Sequence, residues 1–152
     1  MSKKFFTSIL VMSLMLIQAS TSAGGYQKYL NGDANYIIFD GHQGVARYVV
    51  RNTLKVEADE YPYALLSIDW VTVPRAWDGD NTISARDKFY FAYDRNARKI
   101  YVVNPQTQEL RYLPRDVSRA MGEAAMKAAE LAFYLASGEK FYGFSNDFYP
   151  ER

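Results

Sequence analysis

Hydrophobic residues alternate with polar ones along short runs up to residue 113, and from Asp116 onward they recur every three or four positions. A period of two is the mark of a half-buried strand, and one near 3.6 is the mark of an amphipathic helix. Tyr63 to Val73 is the clearest strand, with Ala64, Leu66, Ile68 and Trp70 on one face and Ser67 and Asp69 on the other. Pro74 ends it. Arg86 to Asp94 alternates in the same way, Phe89, Phe91 and Tyr93 against Lys88, Tyr90 and Ala92, and Arg95-Asn96-Ala97 turns it into Lys99 to Val103. An earlier hairpin joins Tyr36–Phe39 to Val45–Val50 through Asp40-Gly41-His42-Gln43-Gly44, whose glycines accept positive φ. After the turn Asn104-Pro105-Gln106-Thr107, Leu110 to Leu113 reads as a further short strand.

The helical stripe is Val117, Met121, Ala124, Ala128, Leu131 and Leu135, at intervals of 4, 3, 4, 3 and 4. Asp116 or Ser118 can cap its start, Gly122 weakens the first turn enough to move the start to Glu123, and Gly138 suits a left-handed C-terminal cap. No helix separates the strands, which argues against parallel winding. The expected fold is α+β: a curled antiparallel sheet of about five or six strands with one C-terminal amphipathic helix packed on it.

The connecting pieces carry weaker signals. Residues 24–35 read as a flexible lead-in that lays Tyr26, Tyr29 and Leu30 on the core, and Asn52 to Glu57 as an irregular or extended piece before the break at Glu60-Tyr61-Pro62. Phe141-Tyr142-Gly143-Phe144 is expected to add a last short strand, and Ser145 to Arg152 to trail as a tail.

The N-terminus carries an address. Lys3 and Lys4 precede the apolar run Phe5 to Ile17, and Gln18 to Ala23 is small and polar. That is the three-part layout of a secretory signal peptide, with a run of about 13 residues against the ~20 that a membrane span needs. The expected cut lies between Ala23 and Gly24, which divides the chain into a signal peptide, 1–23, and a single α+β domain, 24–152. No membrane-spanning segment then remains. The mature part has 16 basic against 17 acidic side chains, and the whole chain has no cysteine, so export points to a bacterial periplasm, surface or medium.

Composition removes several classes of function. Charged residues are 23% and aromatics 16% of the 152, with a formal charge of +1, which supplies no field for nucleic acid. Without cysteine there are no disulfides, thiolate metal sites or catalytic thiols. Phosphate-cradling glycine loops, nucleophile elbows and zinc-protease motifs are missing, so no catalytic residue, cofactor or metal site is assigned. His42, the single histidine, reads as a solvated turn residue. Asp78-Gly79-Asp80-Asn81-Thr82 starts like a calcium loop, but Ile83 stands where the glycine belongs and Phe89 where the bidentate Glu belongs. Asp69 with Asp78 or Asp80 would be the acids of a glycan hydrolase.

The 13 tyrosines and 9 phenylalanines divide between core packing and contact surface. Tyr90 and Tyr101 point away from the face that buries Phe89, Phe91, Ile100 and Val102, and are the exposed candidates for ligand or partner contact. Trp77, beside the loop 78–82, is the third.

Phe39-Asp40-Gly41, the run Tyr48 to Glu57, Phe91-Ala92-Tyr93-Asp94, Gly122-Glu123 and Glu130 to Gly143 together resemble uncharacterised small exported proteins of diderm Firmicutes. More loosely, the order of elements is similar to surface-adhesin E-like envelope domains. The resemblance implies an envelope or secreted α+β domain with adhesion as a possible role, and it carries over no site residue. Export, aromatic density and the lack of a catalytic motif lead to a non-enzymatic binding module of the bacterial envelope that contacts an envelope protein or a glycan. The alternatives are a small carboxylate-dependent cell-wall glycan hydrolase and an inhibitor of an extracellular enzyme anchored by Trp77.

Overall fold

The computed structural model describes residues 25–151, and the expected signal segment lies outside them. Six antiparallel strands follow one another across a single sheet in chain order. They are β1 (Tyr36–His42), β2 (Val45–Glu60), β3 (Tyr63–Val73), β4 (Ala85–Asp94), β5 (Lys99–Val103) and β6 (Leu110–Tyr112). The sheet stays open, and one C-terminal helix, α1 (Glu123–Ser137), packs on its inner face. This is the α+β architecture that the change of period implies.

Local chemistry explains most boundaries. The β1–β2 turn is only Gln43-Gly44, with φ of 49° and 83°, the backbone that a two-residue hairpin of right-handed twist requires. It is tighter than the five-residue turn expected, because β1 continues through a bulge after Ile38 and carries Asp40 to His42 in the ladder. Asn52 to Glu57 is not a separate piece. It belongs to the 16-residue β2, and Thr53 patches the gap in its pairing: its hydroxyl donates to Val50 O at 2.7 Å and accepts from Asp69 N at 2.8 Å.

The inner core joins Ile37, Val49, Ile68, Phe91 and Ile100 of the sheet to Ala128 and Leu131 of α1. Ala125, Ala128, Ala129 and Ala132 are all buried, and such small side chains let the helix lie close on the sheet. Buried Tyr93 donates its hydroxyl to Ala129 O at 2.7 Å. The helix starts at Glu123, since Gly122 has a φ of 127° and a Cβ there would meet an Arg111 guanidinium nitrogen at 2.8 Å. Val117 and Met121 therefore fall outside it, and Met121 is exposed. Gly138 closes the helix in the left-handed conformation, as expected.

Both termini of the described chain act as covers. Residues 25–32 are packed on the sheet: Leu30 is buried with Tyr48, Val50, Val71 and Val73 in a second core on the outer face. Residues 139–151 run over α1. Phe141 to Phe144 do not form a strand, because the N–H groups of Phe141, Tyr142 and Gly143 bond to a side chain of α1 and that of Phe144 to the Tyr149 hydroxyl. Among the described residues no helix is long and apolar enough to cross a membrane.

Candidate functional site

The register decides which side chains meet on the outer face. Antiparallel partners share a face, so Glu60–Tyr63–Asp94–Lys99 form one row across the sheet. Ala58–Leu65–Ala92–Tyr101–Tyr112 is the next row, and Ser67–Tyr90–Val103–Leu110 the third. Residues 25–32 cover the other half of this face, over Tyr48, Val71 and Val73, and leave these rows uncovered.

The small side chains of the middle row make a trough. Ala58, Leu65 and Ala92 form its floor, Tyr63 and Tyr90 stand on either side, and Val103 and Leu110 close it toward β6, around a volume of about 720 Å³. Ligand sites commonly span about 300–1,000 Å³ and are mostly apolar with a few polar groups. Here the charged lining is Glu60 alone, and the carboxamide of Gln108 is the other polar side chain beside the tyrosines. Large apolar groups stand in solvent around it: Tyr63 is 61% exposed, Leu110 57% and Tyr112 43%.

The tyrosines of the cores differ from those beside the trough. Those in the cores bond their hydroxyls internally: Tyr48 to Gln27 O at 3.0 Å, Tyr142 to Leu113 O at 2.6 Å, Tyr149 to a Glu130 oxygen at 2.6 Å. Burial pushes the Tyr48 and Tyr142 hydroxyls up to about 12 and that of Tyr149 further. The hydroxyls of Tyr63, Tyr90 and Tyr101, by contrast, bond to no other described residue. A tyrosine with a half-buried ring and an open hydroxyl is the side chain that contact surfaces favour.

The three sequence candidates therefore separate. Tyr90 and Tyr101 lie on the same outer face, each half-buried; Tyr90 lines the trough, and Tyr101 leans on Tyr112 with ring centroids 5.6 Å apart. Trp77 sits past the far end of β3, in the turn Ala76–Asp78. Its indole meets Tyr26 edge-on at 5.3 Å and covers Gly25, where a Cβ would come within 2.8 Å of the ring. Although 55% exposed, Trp77 helps to hold the lead-in segment down and does not share the trough.

The candidate acids are engaged in separate places. Asp69 binds Arg86 Nε at 2.9 Å with Lys88 Nζ at 3.8 Å, and Asp78 pairs with Arg75 at 3.4 Å. Hydrogen bonds from Thr82 hold Asp80 below the ordinary carboxylate range, the opposite of what a general acid needs. His42 ends β1, exposed. No cluster of three or more potential metal ligands occurs among the described residues.

Two carboxylates, Asp40 and Glu130, are buried, and both are structural. Asp40, its side chain wholly buried, receives Arg47 at 2.9 Å, Arg119 at 3.2 Å and Lys127 at 3.7 Å, while Glu123 bridges Arg119 and Lys127 at 3.3 and 2.9 Å. This network ties β1 and β2 to the start of α1. Glu130 is completely buried on α1 and accepts N–H bonds from Phe141 (2.9 Å), Tyr142 (2.7 Å) and Gly143 (3.2 Å), besides the Tyr149 hydroxyl. Successive N–H groups around one carboxylate form an anion nest. The available signal was an acid within the apolar run Ala128 to Phe133.

Comparison with known proteins adds no constraint: no protein-family model, no curated protein and no solved structure matches this chain.

Proposed function

We propose that this chain is an exported, non-enzymatic binding module of the bacterial envelope, and that it contacts a protein partner through the uncovered half of its outer sheet face. The observation that carries this reading is the aromatic trough between Tyr63 and Tyr90, left open while the rest of that face is covered by the chain itself. Its chemistry favours a protein over a glycan. A pyranose ring presents several hydroxyls that lose water on binding and need partners. The trough answers with one carboxylate, one carboxamide and tyrosine hydroxyls, on an otherwise apolar lining. Export is supported by the basic, apolar and small-residue segments of the first 23 residues.

The test is site-specific photocrosslinking in the cell of origin, with p-benzoylphenylalanine in place of Tyr90 and, as control, in place of Ile83, which is 41% exposed outside the trough. An adduct of one defined mass at position 90, missing at position 83 and lost with Leu110→Asp, is the expected result. No adduct, or the same pattern at both positions, overturns the proposal. Mass analysis of the recovered protein checks export separately, through an N-terminus near Gly24.

A further inference from the structure

Charge is unevenly placed around the trough. Glu60 is the one charged side chain of its lining, and it makes neither an ion pair nor a hydrogen bond with another described residue. Across the same row, Asp94 stands on the other side of Tyr63, its Oδ1 accepting Ala97 N at 2.9 Å. The cations of the neighbouring residues have other contacts, and Lys99 is the cross-strand partner of Asp94. Arg95 pairs with Asp59 and lies over the Tyr61 ring, and Lys99 lies over the Tyr112 ring at 5.4 Å. Lys55 serves Glu57 at 3.2 Å, and the hydrogen bond from the Ser67 hydroxyl, followed by this pairing, keeps the Glu57 carboxyl below its usual range. The trough therefore carries one unpaired negative charge, Glu60, beside the exposed Tyr63 ring, and its interior is apolar.

We infer that the trough binds an extended peptide segment of apolar residues bearing a lysine or arginine, with an apolar side chain seated on Ala58, Leu65 and Ala92 between Tyr63 and Tyr90 and the cation held at Glu60. This rests on the protein-binding reading above and names the chemistry of the segment that would be recognised. The apolar floor selects a hydrocarbon side chain because nothing there would pair with a buried polar group. The cation gains from the free carboxylate and from the face of Tyr63, which attracts positive charge. An anionic segment would meet the unpaired Glu60 carboxylate, since only Asp94 of the two acids in this row has a cation, Lys99, as its cross-strand neighbour. Since an exposed ion pair contributes modestly, the carboxylate should change affinity about fivefold, and the apolar seat should supply the rest.

The experiment is an amide NMR titration of residues 24–152 with a capped nonapeptide of alternating leucine and lysine, with its glutamate-for-lysine counterpart, and with an N-acetylglucosamine trimer. Saturable shifts at Leu65, Ala92 and Val103 with the lysine peptide are expected. They should weaken about fivefold in Glu60→Gln and tenfold or more in Tyr90→Ala, and decline with added salt. Because Glu60 is exposed and unpaired, its amide variant tests recognition without testing folding. Equal binding of the lysine and glutamate peptides would overturn the charge inference and leave the protein-binding reading standing. Shifts at the same amides with the sugar trimer and with neither peptide would overturn both. Binding of the lysine peptide with shifts confined to the Trp77 end, or no saturable shift with any probe, would overturn the trough as the site.

Discussion

Glu130 shows how one residue can hold a terminus in place. Four donors converge on a carboxylate with no cation among its hydrogen-bond partners in the described residues. Glu130→Gln keeps the shape but turns an NH2 group toward a backbone N–H, so the variant should lose about 2–3 kcal/mol in urea unfolding. The loss should come with faster hydrogen exchange at Phe141, Tyr142 and Gly143. If those amides exchange at wild-type rates, the nest is not what holds this segment. Trp77 behaves differently. It rests on Tyr26 and Gly25, so Trp77→Ala should cost about 1 kcal/mol through the lost aromatic pair and loosen residues 25–32. Chemical shifts around Ala92 should stay unchanged, and a change there would show that the two ends of the outer face are coupled.

At the level of elements, α1 is held from two sides by different chemistry. On one side the Asp40 network joins it to β1 and β2 through Arg119 and Lys127, and on the other the segment after Gly138 wraps it with Phe141 and Tyr149. The wrapping depends on protonated phenols. Burial is the first cause of the raised values at Tyr142 and Tyr149; at Tyr149 the hydrogen bond to Glu130 adds to it. A group with a raised folded-state value stabilises the fold fully below its unfolded value near 10 and loses that contribution as pH rises through the folded value. Stability should therefore be level across neutral pH with respect to these tyrosines and fall between about pH 10 and 12. Tyr142→Phe, which removes one titrating hydroxyl, should flatten part of that decline. Denaturant unfolding followed from pH 8 to 12 measures it, and an unchanged slope in the variant would assign the alkaline loss elsewhere.

For the whole molecule, the distribution of covers is the defining property. Lead-in residues shield one half of the outer face, the C-terminal segment shields the helix, and the Tyr63–Tyr90 half is left bare. Deleting residues 139–151 should remove every partner of Glu130 and expose Phe133, giving a compact state with helical circular dichroism but no fixed aromatic signal, and with strong dye binding. Leu110→Asp, on the bare face, should shift stability by no more than about 0.5 kcal/mol, because its side chain already stands in water. A large loss there would mean that the face is part of the core.

How much of this was legible follows from the range of the interactions. The strand order, the antiparallel pairing and the C-terminal helix are written in periods and turn residues a few positions apart, such as Gln43-Gly44 and the alternation from Tyr63 to Val73, and local sterics enforce them. The outward orientation of Tyr90 and Tyr101 follows from the same period of two. What residues 25–32 cover, why Phe141 to Phe144 is not a strand, and whether Trp77 shares a surface with Tyr90 are matters of contacts between distant positions. Tyr48 reaches Gln27 across 21 residues, Arg119 reaches Asp40 across 79, and Glu130 reaches Tyr149 across 19. Glu130 has the appearance of a solvent-facing helix position until the chain returns over it, since an acid becomes a buried anchor only once its donors have arrived. Periodicity and turn chemistry fix the elements and the faces they present, whereas long-range packing selects which faces stay uncovered, because covering a face is a competition between distant segments for the same apolar surface.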